Sequence, residues 1–218
     1  MRLLTSPPKN ISTRQVSLAA ENMAAAQFAL CGFDVVEQPT LSRSFYDLGV
    51  SRSGEMLKVS VHGSLEGFWD LVDPYIEKAP ELATTVDCHQ GIDTWLERHS
   101  SSVVCCLVQF ETSNLTGMPR MYLASAAEVA RTLHESTDKL GDSALYEQFE
   151  IMEASGAQTV ESLPERWRFS QGRIAELMEG ASRPGQPPVA YRFSEAAQCM
   201  GCAEAQPAAC LNCLPMMN

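Results

Sequence analysis

The chain has 218 residues, of which 45% are hydrophobic and 20% charged, and a formal net charge of -11. That suffices for one ordinary domain with an appendage, and it excludes a chain that is disordered throughout. Affinity for phosphate backbones comes largely from Lys and Arg, so general nucleic-acid coating is also excluded, and any such role needs a local basic patch or a basic partner.

No run reaches the roughly 18 apolar residues of a membrane span. The opening MRLLTSPPKN holds no apolar stretch of signal-peptide length. A cytoplasmic protein without a membrane role is the expectation, and Asn10-Ile11-Ser12 and Asn114-Leu115-Thr116 are then chance sequons.

Residues 1–11 read as a loose leader carrying Pro7 and Pro8. Ser12 or Thr13 caps a helix to about Leu30, with Val16, Ala20, Met23, Ala24, Phe28 and, at its end, Leu30 as its apolar stripe. Gly32 suits the left-handed position that ends it. Phe33 to Val36 is a short strand. Phe45 to Ser51 and Leu57 to His62 form a hairpin around the Ser53-Gly54 turn, since Leu57, Val59 and Val61 alternate with Lys58, Ser60 and His62.

Trp69 to Val72 begins either a strand or a helix. Gly91 to His99 carries a helical stretch through Trp95 and Leu96. Val103 to Phe110, reading VVCCLVQF, is a central strand buried on both faces, with Cys105 and Cys106 as small core residues. Arg120 to Ala124 is the next strand. Ser125 and Glu128 make a capping box that starts a helix through Leu133. From Glu135 to Gly180 the chain is polar and helical in character, with its best helix over Glu165 to Met178, and residues 181–190 have linker composition.

The order helix, strand, hairpin, strand, strand, helix carries a pattern of chemical groups. Glu21 precedes Gly32 by eleven residues, Tyr46-Asp47-Leu48 lies on the first hairpin strand, Val59-Ser60-Val61-His62 on the second, and Trp69-Asp70-Leu71 follows. This arrangement resembles the PD-(D/E)XK nuclease superfamily, in particular its small bacterial predicted endonucleases, best over residues 14–72 and weakly to about Leu133.

The resemblance implies a restriction-endonuclease-like α/β core: αβββαβ, a central mixed sheet flanked by helices. It also implies a divalent ion, usually Mg²⁺, held between an Asp and a second acidic or amide group on the hairpin, with a Lys beside the attacking water and a helix Glu within reach. Glu21 and Asp47 match that pattern. Ser60 stands where Glu or Gln is expected and His62 where Lys is expected, so the implied catalytic set is Glu21, Asp47, Ser60 and His62 with two positions altered. A neutral hydroxyl is a weak ligand for a hard cation, and a histidine is no fixed positive charge near neutral pH. It can still orient a water or serve as a general base. Read without the resemblance, Glu21 is a solvated helix carboxylate, Asp47 a strand-edge residue and His62 a hydrogen-bonded surface histidine.

Two groups lie outside that pattern. Asp87-Cys88-His89 reads as a loop, because sequence neighbours point in different directions and do not ligate one ion together. Cys199, Cys202, Cys210 and Cys213 form CxxC, seven residues, CxxC. Four thiolates of this kind suit one structural Zn²⁺, and the same four could hold an iron–sulfur cluster or stay unligated. No Lys or Arg lies within that tail, so protein contact or stabilisation suits it better than nucleic-acid contact.

The expected organisation is a leader (1–11), a PD-(D/E)XK-like core (12–135), a helical extension (136–180), a linker (181–190) and a zinc-knuckle-like tail (191–218). The expected function is a catalytically impaired or inactive nuclease relative in a DNA-related or regulatory complex, with a protein partner or a second copy of itself, and with DNA contacted weakly or through that partner. The alternative is an active metal-dependent DNA endonuclease or phosphodiesterase using Asp47, Glu21 and His62, with Arg14, Arg43, Arg52 and Lys58 as phosphate contacts. No phosphate-cradling Gly-rich loop and no GxSxG suggests another enzyme class.

Overall fold

Ser12 caps the first helix as expected: its hydroxyl accepts from the Gln15 N–H while the Gln15 side chain accepts from the Ser12 N–H at 2.9 Å. The helix, α1, runs Thr13–Leu30 and buries Val16, Ala20, Ala24 and Phe28, one residue per turn along a single stripe. It stops at Gly32 (φ 84°), where the Phe33 N–H reaches back to the Phe28 carbonyl and the Gly32 N–H to that of Ala29. The rings of Phe28 and Phe33 meet edge-on at 6.5 Å and close this Schellman motif.

The chain is described from a computed structural model over residues 11–38, 46–76, 87–99, 103–112, 114, 116–152 and 156–181. The four tail cysteines, residues 182–190 of the expected linker, Arg43 and residues 1–10 of the leader lie outside the described residues, while Ala181 belongs to the last helix.

Strands β1 (Asp34–Glu37), β2 (Leu48–Arg52) and β3 (Glu55–Ser64) are consecutive antiparallel neighbours. A short β4 (Phe68–Trp69) and a 3-10 turn over Asp73–Tyr75 follow. Helix α2 (Cys88–Arg98) then leads to β5 (Val103–Gln109), which lies parallel to β3, and β6 (Arg120–Ser125) pairs antiparallel with β5. The central sheet therefore has the mixed order β1-β2-β3-β5-β6.

All seven residues of β5 are buried, and their alternation divides the core in two. Val104, Cys106 and Val108 join α1 and the last helix, α4 (Gln171–Ala181). Cys105 and Leu107 join α2 and α3 (Ala126–Leu140). Helices thus cover both faces of the sheet, the arrangement expected when a parallel pair is joined by a helical crossover.

Several elements depart from the sequence expectation. Asp87-Cys88-His89 is not a loop: Asp87 caps α2, its carboxylate accepting from the Gln90 N–H at 3.0 Å, and Cys88 and His89 open that helix. The segment after α3 is not predominantly helical. It holds β7 (Leu145–Tyr146), which pairs with β4, and a hairpin of β8 (Gln148–Met152) and β9 (Gln158–Ser162). The helix expected over Glu165 to Met178 is a 3-10 turn at Glu165–Trp167 followed by α4, because the Phe169 N–H bonds the Met121 carbonyl beside β6. Leu145, Leu163, Trp167, Ile174, Leu177 and Met178 are buried in the two core clusters, so this segment completes the core instead of extending from it. The described residues all fall within one compact unit, Met1–Gly185.

Candidate functional site

The hairpin register places Leu48 opposite Val59, and Asp47 stands just ahead of β2. The backbone of Asp47 is held on both sides. Its N–H donates to the Val59 carbonyl at 2.8 Å, and its carbonyl accepts from the Gln38 N–H at 2.9 Å. Its carboxylate turns into the plane of the sheet, where Oδ2 accepts the Val61 backbone N–H at 2.7 Å and faces the Ser60 hydroxyl at 3.4 Å.

Ser60 and His62 are two residues apart on β3 and share a face. Ser60 Oγ lies 3.1 Å from His62 Nε2. A chain Asp47–Ser60–His62 results, with the hydroxyl in the middle. In a hydrolase triad the imidazole is central, backed by the carboxylate and drawing the proton from the hydroxyl. Here the hydroxyl stands between the carboxylate and the imidazole, and Ser60 is only 8% exposed, so the order of a hydrolase triad is not reproduced.

His62 is further fixed by its carbonyl, which accepts the Trp69 indole N–H at 3.0 Å. Burial pushes its imidazole down to about 4; the Asp47 carboxylate opposes that shift and the His99 ring adds to it. The ring is therefore neutral at neutral pH. The fixed positive charge that a lysine would bring to this position is absent from it.

Glu21 reaches the site through its field. Burial first, then the charges of Asp47 and Glu37, raise its carboxyl above the ordinary range. Its position depends on a close approach one residue beyond His62: a Cβ on Gly63 would stand 2.8 Å from Ala20 Cβ and 2.9 Å from the Val16 carbonyl oxygen. Only a glycine lets α1 lie this near β3, and Glu21 follows Ala20 on that helix.

A cleft of about 440 Å³ opens beside His62, lined by the start of α1 and by residues that include Ser64, Trp69 and Asp70, while Glu21, Asp47 and Ser60 are not part of its wall. Asp70 in that wall has its carboxyl raised by burial and then by the neighbouring charges of Asp73, Asp142 and Glu66. The field in the cleft is acidic, which opposes entry of a phosphodiester.

The expected Mg²⁺ finds a poor donor set. One oxygen of Asp47 is already committed to the Val61 N–H and faces Ser60, and His62 Nε2 faces the same hydroxyl. Among the described residues no three His, Cys, Asp or Glu side chains are grouped to hold one metal ion. No hydrolytic step through a metal follows from this geometry. Two of the cations expected to contact phosphate stand over aromatic rings, Arg52 over Phe33 at 5.4 Å and Lys58 over Tyr46 at 5.5 Å.

Sequence reasoning missed a second group. His89 on α2 and His134 on α3 meet, with Nδ1 atoms 2.7 Å apart. Their separation of 45 residues leaves no local signal. Cys105 and Cys106 are core residues as expected, and burial pushes both thiols far up, Cys105 to about 12.

No protein-family model matches the chain, and no curated protein matches its sequence. Among solved structures it is similar to a bacterial homing endonuclease, with 16% identity and a TM-score of 0.36 over 78% of this chain and 94% of that one. At that score a shared fold is not established, and any nuclease-like reading of this chain stands on its own residues.

Proposed function

We propose that the chain is a divergent relative of the PD-(D/E)XK nucleases that has given up cleavage and acts as a binding or regulatory component of a DNA-related complex. The observation that carries this reading is the state of His62. It occupies the lysine position of the pattern, yet it is neutral, half-buried and spent on Ser60. The acidic wall around Asp70 and the net charge of -11 support a protein partner, or a second copy, as the main contact, with DNA reached weakly or through that partner. The four tail thiols are proposed to hold a structural zinc that stabilises this appendage.

The test is cleavage of supercoiled plasmid and of single-stranded DNA with Mg²⁺ or Mn²⁺, comparing the chain with Asp47→Asn. The expected result is no turnover that distinguishes the two. Metal-dependent cleavage that is lost in Asp47→Asn would overturn the silent reading and restore the active endonuclease, for which the mutual repulsion of Glu21 and Asp47 is the one favourable observation.

A further inference from the structure

The contacts of the His89–His134 pair are reciprocal between the two helices. His89 on α2 places Nε2 3.0 Å from Asp138 on α3, and His134 on α3 places Nε2 3.0 Å from Asp93 on α2. An ionised carboxylate only accepts hydrogen bonds, so each Nε2 carries its proton and each Nδ1 presents a lone pair. The two Nδ1 atoms nevertheless lie 2.7 Å apart, with the rings parallel to within 5° and their centroids at 5.0 Å. Two lone pairs meeting at that distance need a cation between them, either a shared proton or a metal ion.

We propose that this pair is a two-imidazole site for a divalent transition metal of the zinc class, clipping α2 to α3. Imidazole suits such ions, and a metal-bound histidine characteristically donates its other N–H to a carboxylate, which both rings do. Two nitrogens on a tetrahedral Zn²⁺ stand roughly 3.3 Å apart, given Zn–N bonds of about 2.0–2.1 Å. The 2.7 Å and 5.0 Å separations set the two lone pairs head-on, so the rings part by about half an ångström and also tilt toward the ion as it replaces the shared proton, which is released to solvent. The His89 side chain is 44% exposed, which gives both the freedom to move and a path for the ion, whereas that of His134 is 13% exposed and anchors the site. No third His, Cys, Asp or Glu among the described residues joins them, so water completes the shell and the ion exchanges readily.

The experiment titrates Zn²⁺ alone into the full chain and into His89→Gln and His134→Gln, reading stoichiometry by calorimetry and the thermal midpoint by melting. Any zinc taken up by the tail thiols is common to all three proteins, so the difference counts the site. The wild type is expected to take one more equivalent than either variant, with an upward thermal shift that both variants lose. Asp138→Asn is expected to keep that equivalent at an affinity lowered roughly 10- to 100-fold. Nitrogen NMR of the wild-type rings covers the case of a variant that fails to fold, with zinc expected to move the Nδ1 resonances of both histidines. Equal stoichiometry in all three proteins, or unmoved Nδ1 resonances, would overturn the metal site and leave a shared proton only.

Discussion

The Asp47 carboxylate accepts the Val61 backbone N–H at 2.7 Å and so continues the β2–β3 ladder one step ahead of the first residue of β2. The side chain that the nuclease pattern assigns to metal binding thus performs a backbone duty. Asp47→Ala strands the Val61 N–H and removes a partner of Ser60, at an expected cost of about 1–3 kcal/mol. Asp47→Asn keeps an acceptor oxygen and is expected to lose less. Urea unfolding of the two variants checks this, and equal losses would contradict the ladder role.

His62 makes stability depend on pH in a defined window. Its proton affinity is depressed on folding, to about 4 against about 6.5 for a free histidine. Below about pH 6.5 the unfolded chain takes up a proton that the folded chain refuses until about pH 4, so stability falls as pH drops through that interval and is unaffected by this group above it. For a half-buried ring the loss is roughly 1–3 kcal/mol. In His62→Asn the slope between pH 6.5 and 4 should flatten, as read from denaturation midpoints at several pH values.

The hairpin was legible because Leu57, Val59 and Val61 alternate with polar residues and Ser53-Gly54 marks the turn, where both residues adopt positive φ. The cap at Ser125 was legible because Glu128 follows three residues on, and that at Ser12 because a hydroxyl residue precedes an apolar stripe of helical spacing; the reciprocal bond from Gln15 emerged only in the fold. The segment after α3 was not. β8 carries only a five-residue alternation, Phe149 and Ile151 half-buried between exposed neighbours, and β9 is almost wholly exposed and shows no such pattern. The division of the expected helix at Phe169 comes from a bond to Met121, which lies 48 residues earlier and leaves no local trace. Glu21, Asp47, Ser60 and His62 were legible as a pattern, but what each is bonded to depends on the sheet edge and on burial.

Gly63 sets the spacing of α1 above β3. Alanine there would gain about 0.5–1 kcal/mol from reduced backbone entropy in the unfolded chain. Against this, its methyl would press on Ala20 Cβ at 2.8 Å and on the Val16 carbonyl oxygen at 2.9 Å, and a backbone oxygen within a helix cannot turn aside. Overpacking of this kind costs roughly 1–3 kcal/mol, so Gly63→Ala is expected to destabilise despite the entropy gain. Calorimetric melting decides the sign, and a raised midpoint would mean that α1 is free to lift from the sheet.

Arg173 ties the two helical layers together around the β6 edge. It is 4% exposed and sits on α4, its Nε donates to the Leu123 carbonyl at 3.1 Å, and its Nη2 pairs with Glu128, the capping-box residue of α3. Removing one partner of a buried ion pair costs about 3–5 kcal/mol because the other charge is left uncompensated. Glu128 keeps Arg166 at 3.3 Å and its own bonds to Ser125, which moderates the penalty toward the lower end of that range. Arg173→Met retains most of the apolar stem and is expected to lose less than Arg173→Ala, and Arg173→Ala combined with Glu128→Gln is expected to lose less than the sum of the single changes, since the charges then left without a partner, Arg166 and Glu176, are solvent-exposed. A double-mutant cycle in urea measures this directly. Strict additivity would show that Arg173 acts through the Leu123 carbonyl, its pair with Glu176 and packing, and that the link between α4 and the start of α3 is not electrostatic.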